Sequence, residues 1–353
     1  MAVIERLREK LQSSECDALM ISSAVNRRYV TGFTGSAGIV WLTADRMALV
    51  VDFRYTEQAA EQAHDWEIIT HDGLEEQLQE LVSQNNIGRL AIEGDHVSVQ
   101  QWQKWSEKLA AELVPVTRWV EELRLAKTAA ELEAIERAAS IADHSFAQIL
   151  PQIQPGAREE DIALELEFAM RKNGASGVSF APIVASGDRG ALPHARPGQR
   201  MLRHGDFVVM DFGCIYRGYC SDMTRTIVVG EPTEKHLVIY DLVLKAQETG
   251  LDAVRPGVTG VEADRAARMI IEESGYGTYF GHGLGHGVGL EVHEEPRLSR
   301  FGEHTLEEGM VVTVEPGVYL PGWGGVRIED LVVVTEDGAR CLSSTFKELY
   351  VVE

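Results

Sequence analysis

The sequence predicts an α+β protein in two parts. A smaller α/β unit comes first, and a larger unit made of two related halves with pseudo-twofold symmetry follows it. Three observations carry this. Up to residue 125, short apolar runs alternate with amphipathic helical stretches. From Ala129 the alternation gives way to two long helical patterns, Ala129–Leu150 and Glu159–Lys172. A Pro-Gly start opens the second of these and recurs at 256–257, each time with an acid-bearing strand pair downstream.

In chain order, a helix with Val3, Ile4, Leu7 and Leu11 on one face leads into a short strand over 17–22. A Gly-rich loop over 29–38 is expected next, then strands over 38–43 and 47–52 joined by a turn. This loop is not a phosphate loop, because no Gly-Lys-Ser/Thr follows and it feeds a strand rather than a helix. Helices over 55–63, 74–83 and 99–109 then alternate with strands over 67–70, 89–94 and 113–116. A solvated connection at 122–128 divides the chain into expected domains 1–125 and 126–353. Pro151, Pro155 and Gly156 separate the two long helices.

The internal repeat lies in the second part. Residues 154–162 open a helix that closes at Gly174, and residues 255–264 open one that closes at Gly275. In both, the glycine after proline and the closing glycine are 18 residues apart. Downstream of the first helix lies a hairpin with Asp211 and Asp222; downstream of the second lies one with Glu315 and Glu329. Two similar halves facing each other would bring these carboxylates together.

Composition narrows the function. Lys and Arg number 33 against 55 for Asp and Glu, a formal net charge of −22, which repels nucleic acid and anionic lipid. No run of about 18 apolar residues is present to span a membrane. The charged amphipathic start does not read as a signal peptide. Cysteines 16, 214, 220 and 341 form no Cys-x-x-Cys, so reduced thiols and a cytoplasmic location are expected. Cys214 and Cys220 fit no zinc spacing and read as small buried side chains.

Asp211 interrupts an apolar strand, Phe207–Phe212, and Asp222 lies in the run that returns from it. Glu315 and Glu329 likewise interrupt apolar strand runs. Each acid alone would be an ordinary wet strand end; together, in paired hairpins, they need a cation. The run 281–296 places His282, His286 and His293 among glycines that let the backbone approach an ion or substrate. Four carboxylates and one imidazole give a site charge of −4, which two divalent ions neutralise. Oxygen-rich ligation with a single nitrogen suits manganese, cobalt or iron, and zinc less typically. The residues themselves therefore point to a dinuclear metallohydrolase.

The ordered set Asp211, Asp222, His286, Glu315 and Glu329, with His194 upstream in LPHARP and GHGLGHGVGLEVHEEP between, resembles the pita-bread metallopeptidases. That group includes methionine aminopeptidase, aminopeptidase P and prolidase. The resemblance covers residues 129–353, and the first unit resembles the smaller creatinase/prolidase-like domain of the proline-specific branch. It implies a pita-bread catalytic domain with two divalent metals, manganese foremost and cobalt, zinc or iron as alternatives. It also implies that Asp211, Asp222, His286, Glu315 and Glu329 hold the metals, Asp222 and Glu329 bridging them. Glu315 would also shuttle a proton, with His194 and His293 as catalytic histidines. His282, Arg297, Tyr319 and Arg327 would line or support the substrate pocket. All five ligand positions are filled, unlike those of metal-free relatives such as creatinase. The implied activity is hydrolysis of the Xaa-Pro bond in peptides with proline second, aminopeptidase P being slightly favoured over Xaa-Pro dipeptidase. A non-catalytic binding module on the same fold is the remote alternative. A homodimer is implied as well.

Overall fold

The computed structural model describes residues 2–353. The chain forms two compact units, Met1–Arg124 and Leu125–Glu353.

In the first unit the elements are α1 (Ala2–Ser13), β1 (Ala18–Ile21), α2 (Ala24–Thr31), β2 (Ile39–Thr43), β3 (Met47–Asp52), α3 (Thr56–Gln62), β4 (Glu67–His71), α4 (Leu74–Gln84), β5 (Arg89–Glu93), α5 (Val99–Lys108) and β6 (Glu112–Val116). The strands make one sheet in the order β4-β3-β2-β1-β5-β6, antiparallel at β1/β2 and β2/β3 and parallel elsewhere. Apolar side chains cover both faces, and α1 buries Ile4, Leu7 and Leu11. One expectation fails here. Tyr29–Thr31, read as loop, ends helix α2, which is capped by the Ser23 side chain and stopped by Gly32 at φ 79°.

In the second unit, α6 (Ala129–Ile149) and α7 (Glu159–Lys172) precede β7 (Gly177–Val178) and β8 (Ile183–Ser186). The first acidic hairpin follows as β9 (Phe207–Phe212), β10 (Cys214–Tyr216), β11 (Tyr219–Cys220) and β12 (Met223–Val229). Then come α8 (Glu234–Ala253), α9 (Gly260–Glu273), β13 (Gly285–Gly287) and β14 (Glu294–Leu298). The second acidic hairpin is β15 (Val311–Val314), β16 (Gly317–Leu320), β17 (Gly324–Arg327) and β18 (Asp330–Val334), before β19 (Ala339–Cys341) and β20 (Val351–Val352).

The two halves match in build. Ile141, Phe146, Leu166 and Met170 of α6 and α7 pack on Val208, Met210, Phe212 and Ile227. Tyr240, Val243, Ala267 and Ile271 of α8 and α9 pack on Val312, Val314, Val332 and Val334. The repeat glycines also match: Gly156 and Gly257 at φ 90° and 84°, Gly174 and Gly275 at φ 107° and 82°. Helices α6, α8 and α9 start on capping boxes at Thr128, Thr233 and Thr259. The fold is α+β, a pita-bread unit preceded by a smaller α/β unit.

Both acidic hairpins change sheet partway along. In the first, β9 pairs β12 and then β10 pairs β11 in a different sheet. The centre of this hairpin is thus itself a short hairpin, turned by Arg217 and Gly218 at φ 47° and 85°. In the second, β15 pairs β18 and then β16 pairs β17. Asp222, Glu315 and Glu329 occupy the breaks between these pairings, whereas Asp211 lies within β9 opposite Thr224. Asp222 was expected on a strand facing Asp211; it lies one residue before β12.

Candidate metal centre

The breaks free the acid side chains from the ladder and turn them toward one point. Ligand atoms of Asp222, His286 and Glu329 lie within 4.8 Å of one another. His286 Nε2 is 3.6 Å from Asp222 Oδ2 and 3.4 Å from Glu315 Oε1. Its Nδ1 lies 3.0 Å from the Gly287 carbonyl, which can only accept, so Nδ1 carries the proton and the Nε2 lone pair faces the acids. Thr313 Oγ1 receives the His286 N–H and donates to Glu315 Oε1.

Arg327 ties the cluster to its surroundings. It donates to Asp211 Oδ2 at 2.5 Å, to Thr224 Oγ1 at 3.0 Å, to Tyr319 Oη at 2.9 Å and to the Pro193 carbonyl at 3.2 Å. Thr224 Oγ1 donates in turn to Glu329 Oε2 at 2.6 Å, and Glu329 N–H donates to the Thr224 carbonyl. Tyr319 Oη is 2.8 Å from His282 Nε2. His282 also lines a cavity of about 750 Å³ together with Thr278, Phe280 and Phe301.

The other expected residues are placed as follows. His194 is exposed on the loop after β8, within electrostatic reach of Asp211 and His282. Buried Glu159 at the start of α7 holds that loop, accepting from Ser186 N–H and Oγ, Arg189 Nε and Gly198 N–H. His293 is exposed, its ring 4.4 Å from that of His286, and a buried Lys127–Glu294 pair lies next to it in sequence. Arg297 is 69% exposed on β14 and contacts Glu295, 3.6 Å from its Nε, rather than the acids. Cys214 and Cys220 are buried free thiols, and burial pushes them up to about 11 and about 12.

Residues 133–336 match the description "Metallopeptidase family M24", and residues 4–126 match "Creatinase/Prolidase N-terminal domain". The chain belongs to metallopeptidase family M24. It is 41% identical over 348 residues to an Xaa-Pro dipeptidase of Pyrococcus furiosus, covering 98% of this chain and 99% of the relative. Among solved structures, an Xaa-Pro dipeptidase from Bacillus anthracis has a TM-score of 0.98 at 46% identity, over 100% of this chain and 99% of that one. An X-Pro aminopeptidase from Thermotoga maritima has a TM-score of 0.92 at 38% identity, over 99% of each chain.

In this M24 chain the side chains fit divalent cations. Asp211 Oδ1 and Asp222 Oδ1 are buried and have no hydrogen-bond partner among the described residues. Leaving a buried acceptor unpaired costs about 1–3 kcal/mol, more for a charged group. Burial, and then the Glu329, Asp211 and Glu315 charges, hold the Asp222 carboxyl well above the usual range. Burial, and then Glu315 and Asp211, do the same for Glu329. Burial pushes Glu315 up to about 8 against the pull of Arg327, and lowers His286 to about 4. Acids that repel each other, with unpaired oxygens and one bare imidazole nitrogen, make a hard, oxygen-rich donor set. Sequence reasoning passed over Thr224, Thr313 and Glu159. The threonines sit where any strand accepts a threonine; Glu159 alone left a trace, as an acid starting an amphipathic helix.

No helix among the described residues is long and apolar enough to cross a membrane.

Proposed function

We propose that the chain is a metal-dependent peptidase that hydrolyses the Xaa-Pro bond, with dipeptides as its substrates. The observation that carries the metallopeptidase part is the convergence of Asp222, His286 and Glu329, with Glu315 beside His286, Asp211 within electrostatic reach, and two buried carboxylate oxygens unpaired. The choice of bond draws on the relatives named for Xaa-Pro substrates. The sequence reading put aminopeptidase P slightly ahead; the names of the relatives favour the dipeptidase, and the proposal follows them.

The five side chains would hold two divalent ions, manganese foremost. When bound, such ions polarise a carbonyl and lower the pKa of water. The remaining work falls to the chain. The Xaa-Pro bond is a tertiary amide with no N–H to donate, and the departing proline nitrogen, like any amide nitrogen, must be given a proton. Glu315, beside His286 and held otherwise only by Thr313, would take a proton and return it. Arg327 fixes Asp211 directly and Glu329 through Thr224. His194 and His293 would donate to the substrate, His293 to the carbonyl oxygen as charge builds on it. Arg297, exposed beside Glu295, would meet a dipeptide carboxylate. A cytoplasmic homodimer completes the proposal, and light scattering tests the dimer.

The decisive assay compares an Xaa-Pro dipeptide with an Xaa-Pro-Yaa tripeptide, with manganese or cobalt added. Cleavage of the dipeptide alone is the expected result. Cleavage of the tripeptide would return the assignment to aminopeptidase P. No turnover of either with metal bound would leave a binding module.

A further inference from the structure

His282 reaches the site on a strap, Phe280–Leu284, that has no helix or strand of its own. One helix holds this strap. On α9, Asp264 and Arg268 form a two-pronged ion pair, Nε to Oδ2 at 2.7 Å and Nη2 to Oδ1 at 2.8 Å. Their side chains are only 2% and 7% exposed. The remaining capacity of the pair goes to strap backbone. Arg268 Nη1 donates to the Phe280 carbonyl at 2.9 Å, Nη2 donates to the His282 carbonyl at 2.6 Å, and Asp264 Oδ1 accepts from Leu284 N–H at 2.9 Å. The Phe280 ring lies against the guanidinium, 4.1 Å from its carbon. Beyond the last anchor, the Leu284 carbonyl accepts the Glu315 N–H at 2.7 Å.

These bonds bear on the imidazole itself. His282 Nδ1 is 2.8 Å from the Gly283 carbonyl, an acceptor only, so Nδ1 carries the proton. Nε2 is then bare and accepts from Tyr319 Oη, which itself accepts from Arg327. The peptide unit whose carbonyl takes the Nδ1 proton is the same one whose N–H meets Asp264. A carboxylate on the N–H of a peptide strengthens its carbonyl as an acceptor. Asp264 therefore favours the tautomer that leaves Nε2 free for Tyr319.

A buried ion pair is a poor device for stability alone, since its desolvation cost is often not repaid. Here each of its three outward bonds ends on the five-residue strap.

We propose that Asp264 and Arg268 are positioning residues for His282, fixing the strap and the ring tautomer. The contribution of His282 to turnover rests on the peptidase proposal; the tautomer does not. The test uses Asp264→Asn and Arg268→Lys in the full chain. In manganese-loaded enzyme, each is expected to lower kcat/KM on an Xaa-Pro dipeptide about 10–100-fold. The loss should appear as a raised KM with metal stoichiometry unchanged. Zinc-loaded, ¹⁵N-histidine-labelled protein gives a readout independent of activity, with His282→Gln assigning the signal. Wild type should show one Nδ1–H tautomer, and Asp264→Asn a mixture. Folded variants with wild-type KM and an unchanged His282 tautomer would overturn the proposal. So would failure of both variants to fold, because the pair would then serve the fold. A wild-type enzyme inactive on dipeptides would overturn the peptidase assignment, while the tautomer comparison would still decide the role of Asp264.

Discussion

At the scale of residues, the centre depends on which acids can be paired within the protein and which cannot. Asp211 has Arg327 on one oxygen and nothing on the other; Asp222 also has one bare buried oxygen. Glu329 is held by Thr224, and Glu315 receives only a 3.3 Å bond from Thr313. Glu315 is thus weakly committed to the protein, and burial pushes its carboxyl up to about 8. Replacing it with alanine removes the proposed proton carrier and one candidate metal ligand. Glu315→Ala is expected to reduce dipeptide hydrolysis by at least about 100-fold. The protein should remain folded, because a buried, repelled carboxylate is removed. Circular dichroism beside the activity assay checks both parts; near wild-type turnover would refute the role. Asp211, Glu315 and Glu329 were legible in the sequence because each breaks an apolar run that a strand would otherwise leave unbroken, and Asp222 because it lies in the run returning from Asp211. Asp264 and Arg268 were legible in principle, as an i, i+4 charged pair on the α9 face that buries Ala263, Ala267 and Ile271. Their purpose was not, because the strap they hold lies 12 to 20 residues further along the chain.

At the scale of elements, the breaks in the hairpins matter more than their strands. Alternation and β-branched content gave the strands, and the Pro-Gly starts with their closing glycines gave α7 and α9. The breaks had no such signal, since a strand that changes partner keeps the same apolar pattern on both sides. Helix α2 was hidden for another reason: its end runs into a Gly-rich stretch whose turn chemistry dominates the local reading. The break in the first hairpin depends on Gly213. A Cβ there would stand 1.9 Å from the Ser221 carbonyl oxygen, which is backbone and cannot swing aside. Ser221 directly precedes Asp222, so relief of this clash must move a candidate ligand. Gly213→Ala is expected to cost about 1–3 kcal/mol in urea unfolding, the usual range for overpacking. It should also weaken manganese binding in a calorimetric titration. Loss of stability with unaltered metal affinity would show that the break and the ligand geometry are independent.

At the scale of the whole molecule, duplication explains how one chain gathers acids that it could not bury singly. Each half supplies two, and hydrogen bonds from Thr224, Thr226 and Arg225 to the Arg327–Glu329 segment join the two hairpins. The stability of the folded chain is therefore coupled to metal and to pH, and the sign can be worked out. In chelator-treated protein, the Glu315 carboxyl lies at about 8 and those of Asp222 and Glu329 are raised well above their usual values. The unfolded chain releases these protons near 4, so between that pH and 8 the folded state binds more protons. Stability contributed by the protonated acids is complete at low pH and is lost as pH rises. His286 and His282, lowered to about 4 by burial, act in the opposite direction, but only up to their unfolded value near 6.5. Above that the acids alone remain. Metal-free protein is thus expected to lose stability between pH 6.5 and 8, by about 2 kcal/mol for each carboxyl that titrates across the window. Manganese-saturated protein should not, because metal competes with protons for the same oxygens and binds more tightly as pH rises. Urea unfolding at the two pH values, with chelator and with manganese, measures both. Chelated protein as stable at pH 8 as at 6.5 would mean that the acids do not crowd one another, and the case for divalent ions among them would lose its physical basis.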